Sequence, residues 1–186
     1  MHTRRIAGFL LGALTIGCLI VDFAAAENLR GVERIMQSPA PEASKMVQAL
    51  GYTQARALLR YAANEANRFD FETWEWTEIV LGAGLLLVTL AGTRGNKFAT
   101  LVCVAILCAI CFQRFFIRPE IVWLGRAFDF APLDGATAQR NRYWTMRQAY
   151  DAIEVLKLLL SASLAGYLFI FRAKLRGKLQ PQLTCF

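Results

Sequence analysis

Residues 98–117, FATLVCVAILCAICFQRFFI, decide how this chain has to be read. The run holds one charged side chain, Arg114, and one amide, Gln113, in an otherwise apolar or weakly polar sequence. At 1.5 Å of rise per residue, a helix needs roughly 20 such residues to cross a hydrocarbon core of about 30 Å. Lipid is the solvent that such a segment matches. Three further apolar stretches flank it, at 6–26, 76–92 and 153–171, each reaching or approaching that length once its flanks are included. The whole chain of 186 residues is 56% hydrophobic with a mean hydropathy of +0.36, high for a protein dissolved in water. The expected fold class is therefore all-α: a polytopic membrane protein with a bundle of four transmembrane helices, residues 1–186 forming a single membrane domain.

The formal charge of +7 raises the question of nucleic acid, which the placement of the charges answers. Three short segments carry basic residues and no acidic ones: 1–5 with Arg4 and Arg5, 93–97 with Arg94 and Lys97, and 172–186 with Arg172, Lys174, Arg176 and Lys178. All 14 Asp and Glu residues lie elsewhere. Short acid-free basic segments between apolar spans follow the positive-inside rule, which sends them to the cytoplasm. Four crossings return the chain to the side on which it starts, so both termini are expected to be cytoplasmic; in a bacterial cell the membrane would be the inner one. The partner implied is the lipid bilayer, with a membrane-protein partner or a second copy of the chain left open, and no nucleic acid.

The first stretch also has the three parts of a secretory signal, a basic start, an apolar run and the small residues Ala24, Ala25 and Ala26. Leu14-Thr15-Ile16-Gly17-Cys18 makes a poor lipoprotein box. Asp22 interrupts the run before the small residues, and removing this helix would leave an odd number of crossings, so a retained helix is expected. Residues 22–37 contain no Pro and one Gly, so this helix should continue past the bilayer until Pro39 and Pro41 end it. A second amphipathic pattern through Met46, Leu50, Ala55, Leu58, Leu59 and Ala62, interrupted near Gly51, leads into the second span. Between Glu27 and Glu72 stand six basic and six acidic side chains, the balance of a folded, mixed-charge helical cap at 27–72 on the outer side. The other outer connection, 118–150, has Pro119 at the expected end of the third span and a turn-like Pro132-Leu133-Asp134-Gly135, and reads as a helical hairpin extending helices three and four outward. In helix one, Gly8 and Gly12 form a GxxxG pair, which suits close helix packing inside the bundle or in a dimer.

Charged residues inside spans are costly, so their depth carries information. Counted from the basic anchor of each helix, Asp22 lies 17 residues from Arg5, Glu78 lies 16 from Arg94, Arg114 lies 17 from Lys97 and Lys157 lies 15 from Arg172. At 1.5 Å per residue all four fall about 22–26 Å above their anchors, which predicts one charged residue per helix in a shared layer. Glu75, Arg118, Asp151 and Glu154 follow one turn further out, with Arg147 beyond. Two readings stay open. The charges pair with one another and fix the register of the helices, or they line a polar cavity for an ion, a proton or a small polar ligand, with Asp22, Glu78, Arg114 and Glu154 as lining and Lys157 beside them. Trp74 and Trp76 suit an interfacial aromatic belt, and Glu65 and Asn67 are placed to lie over the charged groups.

Other signals are weaker. Cys108-Ala109-Ile110-Cys111 resembles the membrane thiol pair of the vitamin K epoxide reductase family, but that family needs a second cysteine pair on a loop, and neither 27–72 nor 118–150 contains cysteine. The one histidine, His2, stands in the N-terminal tail, so a haem or His-containing metal site inside the bundle is not expected. No phosphate-binding glycine loop or nucleophile elbow occurs, so no catalytic residue, metal or cofactor is assigned. Two stretches, Asp22 through Arg34 and Leu58 through Glu75 with its Glu65, Asn67-Arg68 and Phe71-Glu72-Thr73-Trp74-Glu75, resemble the four-helix membrane family of unknown function related to transmembrane protein 205. That resemblance implies a four-helix membrane fold without an assigned reaction. The leading expectation is a non-enzymatic structural or accessory component of a membrane assembly; the alternatives are an oligomeric transporter, channel or small-ligand binder using the charged layer, and a membrane-embedded thiol-redox enzyme.

Overall fold

The computed structural model describes residues 2–37, 40–93, 96–130 and 137–168, and the described chain is helical but for a few residues at breaks and turns. Helix α1 is His2–Gln37, α2 is Pro41–Leu50, α3 is Tyr52–Thr93, α4 is Lys97–Phe112, α5 is Arg118–Phe128 and α6 is Thr137–Gly166. A wide π-turn, Gln113–Ile117, joins α4 to α5, so that Lys97–Phe128 runs as one helix. Three helices are long and apolar enough to cross a membrane: Arg5–Gln37, Tyr52–Gly92 and Lys97–Phe128. Helix α6, over its described length, is not among them, because Asp151, Glu154 and Lys157 fall in its apolar half. Residues 169–171 of the expected fourth span, the basic tail 172–186, and Pro132 to Gly135 of the expected turn lie outside the described residues.

Local sequence explains the breaks. Helix α1 extends through its apolar run and on to Gln37, as the absence of Pro allows. Pro41 starts α2 at its first position, where the missing N–H is no loss. Gly51, with φ +83, ends α2 in a conformation that only glycine adopts without strain, and α3 begins at the next residue. Asn96 caps α4 by accepting from the backbone N–H groups of Phe98 and Ala99.

The helix does not stop at Pro119 but passes through it to Phe128. A proline removes one backbone donor and pushes against the carbonyl four residues earlier. The π-turn immediately before it, Gln113–Ile117, widens the spiral at the place where that clash would fall.

The chain forms two compact units, one from Met1–Ile16, Glu78–Gln113 and Asp151–Phe186, the other from Gly17–Thr77 and Arg114–Tyr150. The core of the first is built from Leu11 and Leu14 of α1, Leu85 of α3, Ile106 and Ile110 of α4, and Leu164 of α6, all buried. Thr89 accepts a hydrogen bond from the Cys103 thiol at 3.4 Å within it. In the second unit, Val32 and Met36 pack with Ala55 and with Val47, Leu59 and Ala63, a small core that ties the far half of α1 to α2 and the start of α3. Asn67 donates to the Ala25 carbonyl at 3.2 Å and accepts from Asn28 at 2.8 Å, and Arg56 donates to Glu33 at 2.8 Å. The Trp74 indole lies directly on the bare backbone of Gly17, where any side chain would collide with it. Many large apolar side chains remain exposed, among them Phe9, Ile20, Val80, Leu87, Leu101 and Leu159, as expected of faces that lipid covers.

Candidate functional site

In the first unit, the Lys157 ammonium sits between two carboxylates. It donates to both oxygens of Glu78, at 2.9 Å each, and lies 2.7 Å from Glu154 Oε1. The Gln113 amide donates to the same Glu154 oxygen at 3.1 Å. All four side chains are buried. Helix spacing produces the cluster: Glu154 and Lys157 are three apart on α6 and share a face, while Glu78 and Gln113 come from α3 and the start of the π-turn. Two carboxylates thus converge on one ammonium.

The second unit holds a larger, arginine-rich cluster around Glu75, whose side chain is 1% exposed. Arg118 donates to Glu75 Oε1 at 3.2 Å and to the Arg68 carbonyl, and the Tyr150 hydroxyl donates to the same Glu75 oxygen at 3.1 Å. Arg114 places its Nε 3.8 Å from Glu75 Oε2, gives Nη2 to Glu72 at 3.0 Å, and lies over the Trp76 ring at 5.1 Å. Phe71 is bracketed by the guanidinium groups of Arg118 and Arg147, 5.5 and 5.7 Å from its centroid, and meets Tyr150 edge to face. Further along, Arg68 bridges Glu65 and Asp129 at 2.5 and 2.8 Å, Asn64 donates to Asp129 at 3.0 Å, and Arg126 reaches Glu65 at 3.3 Å.

Between α3 and the π-turn with α5, this second unit has an open cavity of about 530 Å³. Arg68, Arg114, Arg118 and Arg126 supply its cations and Glu65 and Glu72 its acids, with Phe69, Pro119, Val122 and Trp123 completing the wall. Sequence reading did not find it. The signal was available as spacing, since Glu65, Arg68, Phe69 and Glu72 recur at helical intervals on α3, as Arg114, Arg118, Val122 and Arg126 do on the facing helix.

Of the residues expected to share one layer, Glu78 and Lys157 meet directly and take Glu154 with them, whereas Arg114 engages Glu72 and Glu75. Asp22 and Asp151 occupy exposed positions on α1 and α6. Asn67 serves the contact between α1 and α3 described above, and Glu65 lines the cavity. Trp76 is half exposed, and Trp74 packs on Gly17. Gly8 is partly exposed, and a Cβ placed on Gly12 would meet nothing within 4 Å. Cys108 is exposed and Cys111 half-buried, both as free thiols on α4.

These features define an all-helical chain with candidate membrane-spanning helices, internal ion clusters and a mixed-charge cavity. Compared with known protein families, with curated proteins and with solved structures, the chain matches none.

Proposed function

We propose that this chain is a four-span integral membrane protein with both termini cytoplasmic, serving without catalysis as a structural or accessory component of a membrane assembly. The observation that carries the reading is the clasp of Lys157 by Glu78 and Glu154. Buried charges committed to one another across helices fix register, and separating them is strongly unfavourable in an apolar surrounding. The fourth crossing and the orientation rest on the apolar run 153–171 and on the three acid-free basic segments.

The topology is tested by labelling with a membrane-impermeant thiol reagent in a chain stripped of its native cysteines. A cysteine at Ser44 or Gln139 should react in intact cells, and one restored at Cys185 only after permeabilisation; the reverse pattern would refute the orientation. The accessory role predicts a larger complex in mild detergent, and a chain that purifies alone from its native membrane would refute it. One observation favours a second reading, proton or cation movement: two buried carboxylates converge on the single ammonium of Lys157. That reading requires an oligomer, since four helices are few for a monomeric transporter, and it requires flux in proteoliposomes that Glu154→Gln abolishes.

A further inference from the structure

We infer that the cavity of the second unit is a headgroup site for an amine-bearing phospholipid of the phosphatidylethanolamine class, with the phosphodiester on Arg114 and Arg126 and the ammonium on Glu72. The inference rests on the membrane reading above. Position is the first argument. On α3 the lining residues 65–72 directly precede the apolar run 76–92, and on the facing helix Arg114 to Arg126 directly follow the apolar part of 98–117. The cavity therefore stands where headgroups lie, and Trp76, Phe115 and Phe116, all exposed, continue from it toward the apolar runs where acyl chains would rest.

Free hydrogen-bonding capacity is the second argument. Among the described residues, Arg114 makes one hydrogen bond, from Nη2 to Glu72, while its buried Nε faces Glu75 Oε2 in an ion pair at 3.8 Å, which leaves Nη1 open. Arg126 is 61% exposed and holds Glu65 through Nε and Nη2 at 3.3 and 3.4 Å, which leaves its Nη1 open as well. Glu72, 56% exposed, spends one oxygen on Arg114 and keeps the other. Two guanidinium groups with open donors are suited to a phosphodiester, and a carboxylate with an open oxygen is suited to a primary ammonium.

Charge balance selects the headgroup. Arg68, Arg114, Arg118 and Arg126 face Glu65, Glu72, Glu75 and Asp129, and Glu75 and Asp129 are buried behind the arginines rather than on the wall. These four arginines and four carboxylates sum to zero while their charges are separated, with cations on the wall and Glu72 exposed among them. A zwitterion matches that arrangement better than a net anion does. The volume of about 530 Å³ also suits a headgroup with its glycerol attachment.

The test uses the full chain purified in detergent, titrated with phosphatidylethanolamine, phosphatidylcholine and phosphatidylglycerol of identical acyl chains, with bound lipid counted by native mass spectrometry. Phosphatidylethanolamine should bind about 5-fold or more tighter than the other two, a difference of about 1 kcal/mol. Glu72→Gln should erase that preference, Arg126→Gln should weaken all three lipids about 5-fold, and Arg126→Lys should restore most of the loss. Equal or tighter binding of phosphatidylglycerol or phosphatidylcholine, an unchanged preference in Glu72→Gln, or displacement of the lipid by inorganic phosphate would each overturn the assignment. Melting temperatures of the variants, measured without added lipid, should match the parent; a preference lost only together with the fold would count against the site. Resistance of the chain to alkaline extraction from membranes reports on the membrane reading separately, so the two can fail independently.

Discussion

The two ionic clusters use the same chemistry to opposite ends. Around Lys157 three charged groups and one amide close on one another, every one of them buried. Around Glu75 the arginines are graded, from Arg118 at 8% side-chain exposure through Arg114 at 17% to Arg126 at 61%, and they open onto a cavity. A lysine offers a compact charge that two carboxylates can enclose, whereas a planar guanidinium with five donors binds one partner and still presents nitrogens elsewhere. The choice of cation thus separates a closed cluster, suited to holding helices in register, from an open one, suited to receiving a ligand.

Removing the cation from the closed cluster is the most severe way to probe the contrast. Lys157→Met should destabilise the chain by about 3–5 kcal/mol, because Glu78 and Glu154 are left buried without their counter-charge. Glu78→Gln added to it should recover part of that loss, with a coupling of about 1 kcal/mol or more between the two positions. Denaturation in a mixed micelle measures both, and strictly additive losses would show that the pair contributes nothing as a pair.

The open cluster should give smaller and graded effects. Arg118→Gln is expected to cost about 2–3 kcal/mol, since Glu75 loses a charged hydrogen bond but keeps the Tyr150 hydroxyl. Arg114→Gln should cost less, about 1–2 kcal/mol, because its hydrogen bond goes to the exposed Glu72 and its approach to the buried Glu75, at 3.8 Å, is longer than that of Arg118. An Arg114 effect equal to that of Arg118, measured the same way, would erase the distinction between the buried and open ends of this cluster.

What could be read from sequence follows which property each residue depends on. Depth along a helix is a count, so Glu78 and Lys157 could be placed at similar heights from residue numbers, and they do meet. Rotation about the axis is not a count. That is why Arg114 turns to Glu72 and Glu75, why Asp22 occupies an exposed position, and why on α1 Gly17 is closed over by Trp74 while Gly12 of the GxxxG pair faces open space. The end of α1 near Pro39 and the break at Gly51 were legible because they depend on backbone chemistry alone. The π-turn before Pro119 was not legible, because residue type alone does not say how a helix relieves the clash of a proline that it passes through. The cavity escaped because a gap between helices is a property of neither sequence pattern by itself.

The mildest probe concerns the cavity mouth, where Glu65 lies outside the apolar runs. Its hydrogen bond from Arg126 lowers its pKa from the ordinary 4.5, against the opposing effect of burial, and Arg68 adds to the lowering. A carboxylate whose folded pKa is depressed contributes stability that is fully present above its unfolded pKa and is lost as pH falls through the folded one. The contribution should therefore hold constant at neutral pH and fade only below about 4.5. Other carboxylates titrate in the same range, so the informative quantity is the difference in melting temperature between the parent chain and Glu65→Gln. That difference should be flat from pH 7 to pH 5 and shrink toward zero in more acid solution. A difference that persists unchanged at pH 3.5 would mean that Glu65 acts through shape and neutral hydrogen bonding, and the pairing with Arg126 and Arg68 would then carry no net electrostatic weight at the cavity mouth.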